Sequence, residues 1–279
     1  MAGFELSGLN DKVAVVTGAG RLRSIGRPCA VELARAGCDI VLTGTGRTPD
    51  RFPDDEKAIG WRDIESVADE VRALGRRCYT TVSDVRSQSA IDTLVRDVMA
   101  HFGRVDIVIN NAGAARGADR RPVIELDPEV WDNVLQTNLT GTFLMSRAFG
   151  RVLKEQGRGG SIVNMSSIAG KLLPENTAAY AASKAGIQAL TASMSREMAR
   201  YQVRVNAICP GIIDTARMDD VDAIERGETW AKFVRNMIPL GRAGKGDDIA
   251  WITVFLCSDQ GAWITGQSWN VDGGTVTAH

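Results

Sequence analysis

Residues 12–26 read KVAVVTGAGRLRSIG, and this stretch decides the fold expected for the rest of the chain. Its first half is a short apolar run rich in β-branched residues, typical of a strand buried on both faces of a parallel sheet. A glycine-rich turn from Gly18 to Gly26 follows, and a helical pattern then runs to a stop at Gly37. Such an order predicts a phosphate cradle, because backbone N–H groups and the positive helix end face the anion.

The same alternation of strand-like and helix-like runs continues along the chain. The further strand-like runs are residues 39–43, 77–82, 105–110, 161–165, 203–208 and 268–271. The helix-like runs between them are residues 62–74, 88–102, 128–149, 178–198 and 247–257. This order predicts an α/β fold, a single Rossmann-type doubly wound parallel sheet flanked by helices on both faces. We expect one domain over residues 1–279, with an insertion loop at 48–61 and a substrate lid at 214–238.

Composition argues against several classes of protein. The 279 residues are 44% hydrophobic and 24% charged with a net charge of −1, so no basic field points to nucleic acid or a membrane surface. No apolar run approaches the length of about 18 residues that crosses a bilayer, and the first ten residues lack a signal-peptide pattern. Five scattered cysteines favour reduced thiols in a cytoplasmic protein, and only two histidines argue against a histidine triad or a metal site.

Tyr180 and Lys184 carry the candidate chemistry. They are four residues apart in a run rich in helix-forming residues, so a phenol and an ammonium share one helix face. The ammonium favours the phenolate and lowers the tyrosine pKa from its ordinary value of about 10 toward working pH. Ser167, thirteen residues earlier, follows a strand-like run and could bring a hydroxyl to the same point; Ser166 is its rival. Alone, the pair is also compatible with a solvated helix face.

The end of the second strand-like run bears on the choice of cofactor. An acidic residue there would bind the ribose 2′-hydroxyl of NAD(H), but the sequence reads Gly44-Thr45-Gly46-Arg47. With Arg21 and Arg23 in the glycine turn, this favours the 2′-phosphate of NADP(H), while NAD(H) stays possible. The alternative is that these arginines are solvated loop residues. Asp84 could accept from the adenine amino group or cap a helix.

At this point the chain resembles the short-chain dehydrogenases/reductases over nearly its whole length. The resemblance is carried by Thr17-Gly18-Ala19 with Ile25-Gly26, Asp84-Val85, Asn110-Asn111-Ala112-Gly113, Asn138 in TNLTGTF, Ser167, Tyr180 with Lys184, Pro210-Gly211, Pro239-Leu240-Gly241-Arg242 and Val271-Asp272-Gly273-Gly274. Two features depart from the family pattern. Ser24 replaces the middle glycine of a turn that is two residues longer, and residues 48–61 are an insertion whose role the sequence does not give.

The resemblance implies hydride transfer between a nicotinamide and a carbonyl or alcohol carbon. Tyr180 would be the general acid or base, Lys184 would lower its pKa and bind the nicotinamide ribose, and Ser167 would hold the substrate oxygen. Asn138 would hold a water that links Lys184 to solvent. The alternative is a helix-distorting side chain bonded to the backbone, which is compatible with the same role. Arg23 and Arg47 would pair with the 2′-phosphate. The remaining expected cofactor contacts are Gly18, Ser24, Ile25, Gly26, Asp84, Val85, Asn111, Ala112, Gly113, Pro210, Gly211, Ile213 and Thr215.

The sequence therefore predicts an NADPH-dependent ketone reductase acting on a small carbonyl or alcohol substrate. The alternatives are a 3-oxoacyl-thioester reductase of fatty acid synthesis and an NAD-dependent alcohol dehydrogenase. A non-catalytic member of the family is a third class, but Ser167, Tyr180 and Lys184 are all present. We expect a homo-oligomer, a tetramer or dimer, with residues 249–256 and 269–279 as candidate contacts. The lid offers no single cationic anchor that would demand an acidic substrate.

Overall fold

Seven parallel strands form one sheet in the computed structural model, which describes residues 6–221 and 228–277. The strands are β1 (Val13–Thr17), β2 (Asp39–Gly44), β3 (Cys78–Val82), β4 (Ile107–Asn110), β5 (Gly160–Met165), β6 (Val203–Pro210) and β7 (Ser268–Val271). Their order across the sheet is β3-β2-β1-β4-β5-β6-β7, and each neighbouring pair is parallel. This is the doubly wound parallel sheet predicted from the sequence.

Helices connect the strands and cover both faces of the sheet. They are α1 (Gly26–Arg35), α2 (Asp54–Ala58), α3 (Ile64–Ala73), α4 (Gln88–Phe102), α5 (Pro128–Leu135), α6 (Gly141–Gln156), α7 (Ala169–Leu172), α8 (Ala178–Met198), α9 (Glu228–Met237) and α10 (Gly246–Cys257). In the part of the chain that the structure describes, none of them is long and apolar enough to span a bilayer.

Alternate residues of β1 supply two separate cores. Ala14 and Val16 face a core that includes side chains of α1, α3 and α10, whereas Val13 and Val15 face a core that includes side chains of α4, α6 and α8. All five residues of β1 are buried. A strand covered on both faces cannot alternate apolar with polar residues, which is why residues 13–16 are uninterrupted apolar sequence.

The strand order places a cleft above the centre of the sheet. The chain runs from β1 outward through β2 to β3, then crosses to the other side of β1 with β4. Loops leaving β1 and β4 at their carboxyl ends therefore diverge, and ligands of doubly wound sheets bind at such a point.

Three segments differ in detail from the expected pattern. The 48–61 insertion, expected as a loop, contains a 3₁₀ turn (Pro49–Arg51) and helix α2, whose acidic first turn suits a helix N-terminus. The long helical run from 128 is broken by a π-helical turn (Gln136–Thr140) that holds Asn138. The lid contains a 3₁₀ helix (Ala216–Val221) and α9, and its residues 222–227 lie outside the described residues.

A buried polar network ties the centre of the sheet to helices α6 and α8. The Asn110 amide donates to Ser146 Oγ at 2.9 Å and to Asn164 Oδ1 at 2.8 Å. Asn164 in turn donates to Thr191 Oγ1 at 2.9 Å. All four side chains are buried. Because water cannot replace a missing partner there, removing one member leaves others unsatisfied.

Asn164→Leu is expected to lower the free energy of unfolding by about 2–4 kcal/mol, because two buried polar groups each lose a partner. Urea unfolding followed by circular dichroism measures the change. Asn236→Leu, at an exposed position of α9, is the control and should stay within about 0.5 kcal/mol of wild type. Equal stability of the two variants would contradict a stabilising role for the network.

Candidate active site

The glycine turn packs so closely on neighbouring backbone that side chains are excluded. Gly18 has φ +66°, and a Cβ there would lie 2.8 Å from the Cα of Ala112. A Cβ on Gly26, the first residue of α1, would lie 2.9 Å from both the Cα of Ala19 and the carbonyl oxygen of Gly18. These contacts hold the start of α1 against the end of β1, which leaves the helix N-terminus open to an anion.

Thr17 and Asn111 lock this turn to the end of β4. Thr17 Oγ1 accepts hydrogen bonds from the backbone nitrogens of Asn111 and Ala112, both at 3.0 Å. The Asn111 amide donates to the carbonyl oxygens of Thr17 at 2.9 Å and Gly18 at 3.0 Å. The side chain of Asn111 is thus engaged with the turn, while its expected contact with the cofactor ribose stays a prediction.

Helix α8 brings Tyr180 and Lys184 to the carboxyl end of β5. Lys184 is buried, with 6% of the residue exposed, and its ammonium donates to the Met165 carbonyl oxygen at 2.7 Å and lies 5.6 Å from the centre of the Tyr180 ring. Ser167 lies beside Tyr180, and hydrogen bonding by its side chain lowers the pKa of the phenol. Ser166 points elsewhere, because its hydroxyl donates to the Lys184 carbonyl oxygen at 2.8 Å. The tyrosine, lysine and Ser167 therefore meet at one place.

The surroundings of the phenol favour its ionised form. Burial by itself raises the pKa of Tyr180, but Lys184, Arg217, the hydrogen bond with Ser167 and Arg120 together bring that pKa below its ordinary value. Burial lowers the pKa of Lys184, which the proximity of Tyr180 partly offsets. A phenol with a lowered pKa can exchange a proton with a substrate oxygen more easily than free tyrosine can.

Asn138 is fully buried and connects the loop after β4 to helix α8. Its Oδ1 accepts from the Ala114 backbone nitrogen at 2.8 Å, and its Nδ2 donates to Ser183 Oγ at 3.0 Å. The side chain thus joins the loop after β4 to α8 beside Lys184. This is the structural arrangement considered from the sequence; the water that would link Lys184 to solvent stays a prediction.

The two arginines expected to bind a 2′-phosphate are paired with carboxylates. Arg23 contacts Asp55 at 2.7 Å and also Asp219, with Asp214 at 3.6 Å. These ion pairs fasten the glycine turn to the insertion and to the start of the lid. The charge of Arg23 is therefore satisfied within the chain.

Arg47 is held even more tightly. Its Nη1 donates to Glu56 Oε2 at 2.8 Å, its Nη2 donates to Asp63 Oδ1 at 2.7 Å, and its guanidinium lies 4.7 Å from the Phe52 ring centre. Both carboxylates are buried. The residues are where the sequence expectation placed them, but neither Arg23 nor Arg47 offers an unpaired positive charge to a phosphate.

The carboxylate of Asp63 lies beside the end of β2, where the sequence of the strand has no acidic residue. A Cβ on Gly44, the last residue of β2, would lie 3.4 Å from Asp63 Oδ2, and a Cβ on Gly20 would lie 1.9 Å from Asp63 Oδ1. Asp63 has φ +54° and ψ −130°, a conformation that costs roughly 1–3 kcal/mol in a non-glycine residue. The chain just after the insertion thus places a carboxylate at the point where the sequence of β2 lacks one.

The insertion also clamps the glycine turn. Glu56 Oε1 accepts from the Leu22 backbone nitrogen at 2.9 Å, and Trp61 Nε1 donates to the Gly20 carbonyl oxygen at 2.7 Å. Sequence reasoning missed this role, although an acidic cluster followed by tryptophan beside an arginine-rich turn was a signal for it.

The other predicted cofactor residues lie around the same cleft. Ser24 Oγ accepts from the Arg27 backbone nitrogen at 3.2 Å, so it caps the start of α1. The carboxylate of Asp84 is paired with Arg86, which holds the pKa of Asp84 below its usual range. The remaining predicted residues that line the cleft are Ile25, Val85, Asn111, Ala112, Gly113, Pro210, Gly211, Ile213 and Thr215.

Two arginines at Tyr180 were missed by sequence reasoning. Arg120, in the loop after β4, lies 4.5 Å from the Tyr180 ring centre, and Arg217, in the first part of the lid, lies 4.9 Å from it. Arg217 therefore brings a positive charge of the lid beside Tyr180. No motif marks either residue, because their approach depends on how two distant loops fold over α8.

The cleft is large enough and shaped for an extended dinucleotide. It has a volume of about 1830 Å³ and runs from the glycine turn and β2 past Ser83 to the tyrosine, lysine and lid. Close-packed glycines beside a helix N-terminus suit a pyrophosphate, and Asp63 suits a ribose hydroxyl. Within the described ranges, no group of three or more histidine, cysteine, aspartate or glutamate side chains is arranged to hold a metal ion.

Comparison with known proteins gives consistent matches over the whole chain. A family model described as enoyl-(acyl carrier protein) reductase matches residues 18–276. Sorbitol dehydrogenase from Cereibacter sphaeroides is 32% identical over 95% of this chain and 98% of its own length. A 3-oxoacyl-acyl-carrier-protein reductase from Staphylococcus aureus is 34% identical over 94% and 97%. The crystal structure of a short-chain type dehydrogenase/reductase from Mycobacterium marinum has a TM-score of 0.83 at 27% identity, covering 98% of each chain.

Titration of the tyrosines tests the electrostatics of the site without any assay of activity. The chain has three tyrosines, and burial together with Asp97 raises the pKa of Tyr79. We expect a phenolate absorbance step below the ordinary pH of about 10, lost in Tyr180→Phe and moved to higher pH in Arg217→Met. Tyr79→Phe should leave this step in place. A step that survives in Tyr180→Phe would contradict the lowered pKa.

Proposed function

Because the chain belongs to the short-chain dehydrogenase/reductase family, we propose that its tyrosine–lysine site interconverts a secondary alcohol and a ketone with a nicotinamide dinucleotide. The family membership makes the chain an NAD(P)-dependent oxidoreductase acting on CH–OH or carbonyl groups. The observation that supports the assignment to this site is the convergence of Ser167, Tyr180 and Lys184 at the cleft.

The proposed reaction moves one hydride and one proton. The bound nicotinamide supplies the hydride acceptor for oxidation and the hydride donor for reduction. In oxidation the C–H bond of the alcohol breaks toward that acceptor while Tyr180, as phenolate, takes the hydroxyl proton, so a ketone, a reduced cofactor and a proton result. In reduction the Tyr180 hydroxyl returns the proton to the oxygen as negative charge develops there. Ser167 donates to the same oxygen and orients it.

Lys184 keeps the phenol in a usable ionisation state. Its ammonium is held by the Met165 carbonyl oxygen and is buried. Because water screens a buried charge weakly, the positive charge of Lys184 favours the phenolate of Tyr180 more than an exposed lysine would. We also propose that protons leave through water beside Asn138. The Asn138 side chain already forms hydrogen bonds within the protein. Its π-helical turn departs from the usual α-helical hydrogen bonding, so we expect a main-chain carbonyl oxygen there to accept a hydrogen bond from water.

The carboxylates at the adenosine end change the choice of cofactor. The predicted NADPH-dependent ketone reductase relied on unpaired Arg23 and Arg47, and both are paired with carboxylates. Glu56 and Asp63 together exceed the single charge of Arg47 by one negative charge, so this site beside the end of β2 would repel a 2′-phosphate, and Asp63 would accept from a ribose hydroxyl. We therefore favour NAD(H) over NADP(H), which moves the proposal to the alternative of an NAD-dependent alcohol dehydrogenase.

A 3-oxoacyl-thioester reductase is the second candidate. It is favoured by the S. aureus relative, which is named as a reductase of this kind. It requires the carbonyl to be reduced rather than formed. The same three residues would act, with Tyr180 as acid, so the two candidates differ in substrate and in the direction of the reaction.

We further propose a homo-oligomer in a reducing, cytoplasmic setting. Trp251 on α10 is 62% exposed and Trp263 is fully exposed, which suits contact with another copy. Other residues of the predicted contact 249–256, such as Ile249 and Leu256, are instead buried in the chain's own core. All five cysteines are free thiols, which supports the compartment.

Tyr180→Phe should reduce kcat roughly 10²- to 10⁴-fold, because the proton donor and acceptor is lost while the ring remains. Initial rates of cofactor reduction with a panel of secondary alcohols, and of cofactor oxidation with the matching ketones, measure it. Calorimetric binding of NAD⁺ should stay near wild type and shows that the site is intact. Retained turnover would refute the acid–base role of Tyr180.

Wild type is expected to bind NAD⁺ roughly tenfold or more tightly than NADP⁺, a difference of about 1.4 kcal/mol. Asp63→Asn should narrow this ratio, because one negative charge is removed and Arg47 is partly released. Calorimetry with each dinucleotide measures the ratio independently of turnover. Asp54→Asn, at a fully solvated position of α2, is the matched control. Tighter binding of NADP⁺ by wild type would overturn the NAD(H) proposal.

A further inference from the structure

Two positively charged side chains converge on the proposed catalytic tyrosine, and one carboxylate, that of Asp119, lies beside them. Arg120 and Arg217 come from loops that follow β4 and β6, and their guanidinium carbons lie 4.5 Å and 4.9 Å from the Tyr180 ring centre. Lys184 adds a third cation 5.6 Å from that centre. Both arginines line the cleft at its tyrosine end, away from Gly20 and Asp63.

Arg217 is only partly satisfied by the protein. Its Nη1 donates to the Ala114 carbonyl oxygen at 2.6 Å, whereas its Nη2 is buried and has no hydrogen-bond partner. Within residues 6–221 and 228–277 no carboxylate forms an ion pair with it. A buried guanidinium nitrogen without an acceptor is costly, so a fold that keeps one there needs a reason.

Arg120 has one negatively charged neighbour, Asp119. A single carboxylate cannot neutralise the positive charges of both Arg120 and Arg217. Its Nη1 lies 3.3 Å from Asp119 Oδ2, yet both atoms are buried without a hydrogen-bond partner. Burial lowers the pKa of Arg120, and the nearby charge of Arg217 lowers it further against the effect of Asp119. The cluster of Arg120, Arg217, Lys184 and Asp119 therefore keeps an excess of positive charge where a substrate must meet Tyr180.

We infer that the substrate of this site carries a carboxylate close to its reacting carbon, and that Arg217 and Arg120 bind it. This rests on the proposed function, in which Tyr180 holds the reacting oxygen. Both guanidiniums lie within 5 Å of that ring, so the carboxylate must be only a few bonds from the alcohol or ketone carbon. A carboxylate matches the paired N–H groups of a guanidinium and gives the unpartnered nitrogens their acceptors.

The rest of the cleft fits this polarity. Asp219 and Asp214, at the lid side, are engaged by Arg23. Glu175 lines the same cleft but is exposed, so its charge is screened by water. The contrast with the adenosine end is direct: Arg23 and Arg47 there are each paired with two or more carboxylates, whereas Arg217 at the substrate end has none among the described residues.

The test compares hydroxy acids with their methyl esters, which share one carbon skeleton and differ in charge. A panel of short 2- and 3-hydroxy acids and their esters is titrated into the Tyr180→Phe variant saturated with NAD⁺, and binding is measured by calorimetry. At least one acid should bind roughly tenfold or more tightly than its ester. Arg217→Met and Arg120→Met in this background should each remove most of that ratio, and Arg217→Lys should restore part of it.

Arg121→Met is the matched control, because Arg121 is exposed in the same loop. It should keep the acid-to-ester ratio of its parent. In the active enzyme, Arg217→Met should raise KM for the acid more than for the ester. A change in the pKa of Tyr180 affects both substrates equally, so the ratio isolates recognition of the charge.

The outcomes separate this inference from the proposed function. The carboxylate inference is overturned if no acid binds more tightly than its ester, or if Arg217→Met lowers the affinities for acid and ester equally. Turnover of neutral alcohols would still support the proposed reaction in that case. If acids bind in an arginine-dependent way but neither they nor the matching oxo acids turn over, the inference stands and the proposed function fails.

Discussion

The hydrogen bond from the buried ammonium of Lys184 to the Met165 carbonyl oxygen fixes the centre of the site. It joins helix α8 to the end of β5, so the tyrosine one turn earlier is held beside the last residues of the sheet. The next two residues after Met165 then face different ways: Ser166 binds the backbone of α8, and Ser167 meets the phenol. A lysine free to move would neither order this strand end nor exert a steady field on Tyr180.

The adenosine end shows that a charged residue has to be judged with its partners. Arginine in a phosphate-binding turn ordinarily suggests a phosphate ligand. Here the insertion brings Asp55 and Glu56 against those arginines, and Asp63 follows just after it, so the arginines form ion pairs within the chain. The same segment that neutralises them also grips the glycine turn through Glu56 and Trp61. Cofactor choice and the rigidity of the turn are thus linked through one short insertion.

At the proposed substrate end the arginines have fewer carboxylate partners than at the adenosine end. Arg120 and Arg217 approach one aromatic ring. Among the described residues Asp119 is the carboxylate that offsets their mutual repulsion, and buried nitrogens are left without acceptors. Cations near a phenol serve two purposes, since they stabilise the phenolate and attract an anion. Ion pairs therefore stabilise the proposed cofactor end of the cleft, whereas positive charge exceeds negative charge at the proposed substrate end.

Three features could be predicted from the amino-acid sequence alone: the order of strands and helices, the glycine turn and the spacing of Tyr180 and Lys184. These follow from local rules: apolar runs make buried strands, and residues four apart share a helix face. The sequence could not determine the ion pairs of Arg23 and Arg47, the placement of Asp63 at the end of β2 or the approach of Arg120 and Arg217 to Tyr180. Those contacts join segments far apart in the chain, so only the tertiary structure decided them, because a charge acts through whichever neighbour the fold brings within reach.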